Sequence, residues 1–119
     1  MQKDILFLLA PGFVAPEIEG NSHREYCPEC AEIWGLIHYF PAIKESVNIV
    51  YQPIQKPRKE IACLLGEEHQ NCPTLILLDS SPVFTNCGMQ VNQGKTFINN
   101  ARDIGRYFAR RFGTPSPRG

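Results

Sequence analysis

The feature that most narrows what this chain can become is Cys27-Pro28-Glu29-Cys30, run directly into Ala-Glu-Ile-Trp-Gly-Leu-Ile-His-Tyr-Phe. Cys30, Ile33, Trp34, Ile37 and Phe40 recur at i, i+3, i+4, i+7 and i+10, the spacing of one helix face. Pro28 suits the first helical position, where a missing N–H removes nothing from the hydrogen-bond ladder. Cys27 then falls at the N-cap, beside unpaired backbone N–H groups and the positive end of the helix dipole. Thiolate, the reactive form of cysteine, is favoured there. One turn separates the two sulfurs, so they can close a disulfide and open it again. Zinc sites use the same spacing, but a closed one needs four ligands, and no second C-x-x-C or H-x-x-x-H occurs.

The flanking segments alternate in type. Asp4 to Leu9 (DILFLL) is a continuous apolar run stopped by Pro11-Gly12, the pattern of a fully buried strand. Pro11 to Tyr26 has no periodicity and reads as a long loop that delivers the chain to Cys27. Val47 to Tyr51 is a second strand, so strand, helix and strand make a parallel pair with a right-handed crossover. Pro57 opens a second helix, with Ile61, Leu64 and Leu65 on one face and Gly66 as its stop. Pro73 immediately precedes a third strand, Thr74 to Leu78, antiparallel to the first. Val83 to Gly94 reads mostly as loop, and Lys95 to Ile98 as a fourth, edge strand. Asn99 or Asn100 caps a last helix whose apolar face is Ala101, Ile104, Phe108 and Phe112, ended by Gly113. The expected architecture is α/β, a four-stranded mixed sheet flanked by helices. It forms one domain over residues 1–113, with 114–119 as a disordered tail.

In this order of elements the chain resembles the thioredoxin superfamily, in its smaller glutaredoxin-like and glutathione-transferase N-terminal form. It is also similar to an uncharacterised bacterial thioredoxin-like domain family. The residues that carry the resemblance are Cys27-Pro28-Glu29-Cys30, Cys72-Pro73-Thr74-Leu75, and Phe97-Ile98-Asn99-Asn100 with Asp103-Ile104 and Tyr107-Phe108. The resemblance implies a cis Cys72–Pro73 bond, Cys27 as attacking thiolate and Cys30 as buried resolving thiol. It implies too that the backbone of Cys72 pairs with a bound thiol peptide. Arg24 stands where some glutaredoxins have a basic residue on glutathione. Asn99-Asn100 stands where they carry two glycines that seat its glutamyl end. Three departures bear on glutathione use: the asparagine pair, the longer loop before the cysteines, and Glu29. A carboxylate inside the motif opposes thiolate formation and makes the couple more reducing.

Composition sets the outer limits. At 119 residues and 43% hydrophobic content the chain can bury one core unaided. Twelve basic residues balance twelve acidic ones, so no net field draws it to nucleic acid or an anionic membrane. Ile5 to Ala10 is too short for a signal-peptide core, and no run approaches a transmembrane length. Five irregularly spaced cysteines in such a chain fit a reducing, cytoplasmic setting. The expected function is a thiol–disulfide oxidoreductase acting on protein or low-molecular-weight disulfides, with no cofactor, glutathione as a candidate co-substrate, and the choice between glutathione and thioredoxin as electron donor left open. The alternative is a non-catalytic thioredoxin-like binding or adaptor domain, or a metal-binding or redox-sensing protein using Cys27, Cys30 and Cys72. Cys72 itself reads as packing, as a second resolving thiol, or as a third sulfur ligand. Cys63 is expected to be a partly buried small hydrophobe, Cys87 an exposed loop residue, and Trp34 a packing residue. His23, His38 and His69 have no neighbour in sequence at ligand or triad spacing.

Overall fold

The computed structural model describes residues 2–15, 20 and 22–119. In chain order the elements are strand β1 (Asp4–Leu9), two-residue strands β2 (Phe13–Val14) and β3 (Arg24–Glu25), helices α1 (Pro28–Tyr39) and α2 (Pro41–Glu45), strand β4 (Val47–Gln52), helix α3 (Lys59–Leu65), strands β5 (Thr74–Leu77), β6 (Gln90–Asn92) and β7 (Lys95–Ile98), and helix α4 (Ala101–Phe112). They form an α/β structure around a five-stranded sheet in the order β4-β1-β5-β7-β6. β1 and β4 are parallel, with Asp4 opposite Val47 and Leu9 opposite Gln52. β5 runs antiparallel to β1 and to β7, and β6 antiparallel to β7, so the sheet is mixed.

The expectation of four strands is therefore corrected to five. The missed strand, β6, presents Gln90, Val91 and Asn92, mostly exposed and too short to show an alternating pattern. It, and not Lys95–Ile98, is the edge, joined to β7 through Gln93 and Gly94, both at positive φ. Three other boundaries differ. The expected loop from Pro11 to Tyr26 lies partly outside the described residues, at 16–19 and 21, and its described part holds the antiparallel β2–β3 ribbon. Pro41 ends α1 but also occupies the first turn of the short α2. The second long helix begins at Lys59, with Arg58 as N-cap, two residues after Pro57.

Burial explains the layering. β1 and β5 are the central strands, and Leu6, Leu8, Leu75 and Ile98 are fully enclosed. α1 presents Cys30, Ile33 and Ile37 to the core, while Trp34 and Phe40 pack at its margin. α4 buries Ala101, Ile104, Tyr107 and Phe108, but Phe112 is exposed and stacks on Phe108. Gly113, at φ 72, closes α4 in the left-handed conformation that glycine adopts without steric cost. Residues 114–119 form no helix or strand; Pro117 lies against Gly105 of α4, and the Arg118 carbonyl accepts from Arg102 Nη1 at 3.0 Å. The Cys72–Pro73 and Lys56–Pro57 peptide bonds are cis.

Candidate functional site

The N-terminus of α1 is built by its own sequence. Cys27 has extended backbone angles (φ −79, ψ 118) and is the N-cap, Pro28 follows in the first turn, and the Cys30 N–H donates to Cys27 Sγ at 3.4 Å. That bond gives an otherwise unpaired helical N–H an acceptor, and it fixes the Cys27 sulfur at the helix end. Cys27 is half-buried and Cys30 is 4% exposed, and both thiols are free. β1 supplies the other half of the site. The Leu9 N–H, at the strand's C-terminal end, donates to Cys30 Sγ at 3.3 Å. Burial pushes the Cys30 thiol up to about 12, opposed by the Leu9 hydrogen bond and reinforced by negative charge on Cys27 and Cys72.

Cys72 closes the site from the sheet. Cys27 Sγ lies 4.0 Å from the Cys72 carbonyl oxygen, at the entry to β5. The Cys72 side chain is 5% exposed, and burial raises its thiol to about 11 against the pull of the Arg58 guanidinium. Pro73 is buried behind it. Among the described residues, no group of three or more His, Cys, Asp or Glu side chains comes together as a metal site. Cys27 and Cys30 stand as a pair at the start of α1, with the Cys72 carbonyl beside the Cys27 sulfur.

Arg58 is the residue that pattern reading missed. It is 7% exposed and donates from Nε to the Pro53 carbonyl, from Nη2 to Ile54 and from Nη1 to Gln70, while its N–H bonds Gln70 Oε1 at 2.6 Å. One guanidinium so ties the loop after β4 to the loop before Cys72. Nothing in Pro57-Arg58-Lys59 distinguishes it from a solvated cation, because its partners are backbone carbonyls, which no residue type signals in the sequence.

The remaining expected residues take specific places. Asn100 is the N-cap of α4, accepting from the Asp103 N–H at 2.9 Å and donating to Asp103 Oδ2. Asn99 offers its carbonyl to Asn71 Nδ2 at 2.7 Å, joining β7 to the loop before β5. Glu29 turns its carboxylate from the sulfurs to α4, where it accepts from the Ala101 N–H at 3.2 Å. Arg24 is exposed and holds the Gly12 carbonyl at 2.7 Å across the β2–β3 ribbon. It borders a hollow with Phe13 and Pro53 and does not line the groove that contains the cysteines. That groove, about 260 Å³, is lined by Cys27 and Cys30 and walled by Pro11, Tyr26, Ala31 and Trp34.

Two expectations about the other cysteines are reversed. Cys63 is exposed, because Ile61 and Leu65 take the core side of α3 and a residue two positions from each faces out. Cys87 is 1% exposed, since its loop folds inward beside Tyr107 and Phe84. His69 stacks obliquely on Phe97 with ring centres 5.0 Å apart. No helix among the described residues is long and apolar enough to cross a membrane.

A family model described as "Protein of unknown function (DUF3088)" matches residues 3–116 of the chain. No curated protein and no solved structure matches it.

Proposed function

Starting from the premise that this chain belongs to the family described as protein of unknown function (DUF3088), we propose that it is a thiol–disulfide oxidoreductase of thioredoxin-like fold. The observation that carries this reading is the asymmetry of the cysteine pair. One sulfur is half-exposed at a helix N-cap, and the other lies buried one turn further on, under a strand N–H. The order of elements and the position of Cys72 against Cys27 support the fold reading.

In the proposed reaction the Cys27 thiolate attacks a substrate disulfide, RS–SR′. A Cys27–SR mixed disulfide forms and R′S⁻ leaves, taking up a proton. The Cys30 thiol then loses its proton and attacks Cys27 Sγ, closing the Cys27–Cys30 disulfide and expelling RS⁻. The substrate gains two electrons and the pair loses two; a thiol donor returns them by the reverse exchange. The order of the steps has a local physical basis. Burial above all holds the Cys30 thiol protonated, with the hydrogen bond to Cys27 and negative charge on Cys27 adding to it. Conversion of Cys27 to a mixed disulfide removes that charge, while the Leu9 N–H stays in place to receive a Cys30 thiolate. Reaction of Cys27 thereby removes part of what holds Cys30 protonated, which favours attack by Cys30 as the second step.

The test is turnover of a peptide disulfide with dithiothreitol as donor. Cys27→Ser should lower it by at least about 100-fold, and Cys30→Ser should accumulate a mixed disulfide on Cys27 detectable by mass. Turnover that survives Cys27→Ser would remove this function.

A further inference from the structure

The groove beside Cys27 bears on which disulfide is attacked, a question that rests on the oxidoreductase reading above. Cys27 lines the groove, so a group bonded to its sulfur sits at the groove's mouth. Every other lining side chain is uncharged: Leu9, Pro11, Tyr26, Ala31 and Trp34, with Cys30 beneath. At about 260 Å³ the space is smaller than the ~300–1,000 Å³ of sites that enclose a whole small molecule, and fits a side chain better.

The charged groups of the same region are directed elsewhere. The Arg24 guanidinium is committed to the Gly12 carbonyl. The N-terminus of α4, which could otherwise attract a carboxylate, already has acceptors from this chain. Glu29 takes the Ala101 N–H at 3.2 Å and Asn100 takes the Asp103 N–H at 2.9 Å. A substrate carboxylate placed there must displace Glu29 and approach its charge.

We infer that the pair acts on disulfides in peptide or protein segments whose reacting cysteine is flanked by an apolar side chain, seated in this groove. Glu29 is a specificity-determining residue that disfavours small thiols presenting a carboxylate to α4.

The experiment measures single-turnover reaction of the reduced full chain with three probes, each rate divided by that probe's rate with dithiothreitol. The probes are a terminally blocked peptide disulfide with Leu on both sides of Cys, the same peptide with Glu for Leu, and oxidised glutathione. Mass spectrometry locates the adduct. The Leu peptide should modify Cys27 at least about fivefold faster than the Glu peptide, with glutathione slower still. Ala31→Glu and, separately, Tyr26→Ala should each reduce the Leu-to-Glu ratio, and both positions are exposed, so the fold tolerates them. Glu29→Gln should raise the glutathione rate relative to that of the Leu peptide. Equal or faster reaction of the Glu peptide, or a ratio unchanged in both groove variants, overturns the inference and leaves the redox reading standing. Reaction of all probes at Cys27 no faster than at exposed Cys63 overturns both.

Discussion

Cys27 and Cys30 differ in what they touch, and that difference is measurable residue by residue. Burial holds the Cys30 thiol up to about 12, so it stays protonated through the neutral range. Iodoacetamide near pH 7 should therefore label Cys27 first and leave Cys30 largely unmodified; peptide mapping that finds Cys30 labelled first reverses their roles. Arg58 offers a second test at this scale. Its side chain satisfies the carbonyls of Pro53, Ile54 and buried Gln70, and Arg58→Leu leaves all three without that donor. Urea unfolding should show a loss of about 2 kcal/mol, within the usual cost of stranding one buried polar group. Removal of the same guanidinium should also push the Cys72 thiol further up, because Arg58 is what opposes its desolvation.

Among the elements, α1 and α4 meet with their N-termini near one another, and the motif caps both. Cys27 Sγ accepts at the start of α1, while Glu29 accepts the Ala101 N–H at the start of α4. The Glu32–Arg102 pair at 2.9 Å links the same two helices one turn on. It lies at the surface and contributes little, so the helix ends are the more informative targets. Serine is a stronger N-cap than cysteine's weak sulfur acceptor, so Cys27→Ser should keep or slightly raise the melting temperature while abolishing turnover. A marked fall in melting temperature would show that the sulfur's packing matters more than its cap. Asn100→Ala should cost about 1 kcal/mol by denaturant unfolding, through loss of the cap on the Asp103 N–H.

For the whole molecule, two buried thiols make stability depend on pH in the alkaline range. Cys30 and Cys72 rise from 9.0 to about 12 and about 11 on folding. Between those values the native state retains protons that the unfolded chain has lost, so unfolding is favoured as pH rises. Their contribution is fully present below pH 9 and is lost as pH climbs through 11 to 12. Unfolding free energy under reducing conditions should fall by a few kcal/mol, on the order of 3, between pH 9 and 11. The Cys30→Ala Cys72→Ala double variant should show a flatter profile over that interval. An identical slope in the two proteins would mean that other groups, such as buried Tyr107, govern it.

The sequence alone determined whatever depends on neighbours a few residues apart. The spacing of Cys30, Ile33 and Ile37 placed the core face of α1, Pro28 and Cys27 placed its start, and Gly66 and Gly113 placed the ends of two helices. The apolar run of β1 and the β-α-β order were enough for its parallel pairing with β4, and the strand opened by Pro73 gave the expectation of an antiparallel β5. Tertiary structure decided the features whose partners are remote in the chain. β6 exists because β7 offers it an edge, not through any pattern of its own. Arg58 is held by Gln70, 12 residues on, which accepts from both its Nη1 and its backbone N–H, and Glu29 leaves the sulfurs because α4 presents an N–H across a separation of 72 residues. Cys87 departs from its expected environment for the same reason, whereas the exposure of Cys63 follows from its place two residues from Ile61 and Leu65. A cysteine carries no polarity strong enough to declare its side, so the packing around it decides.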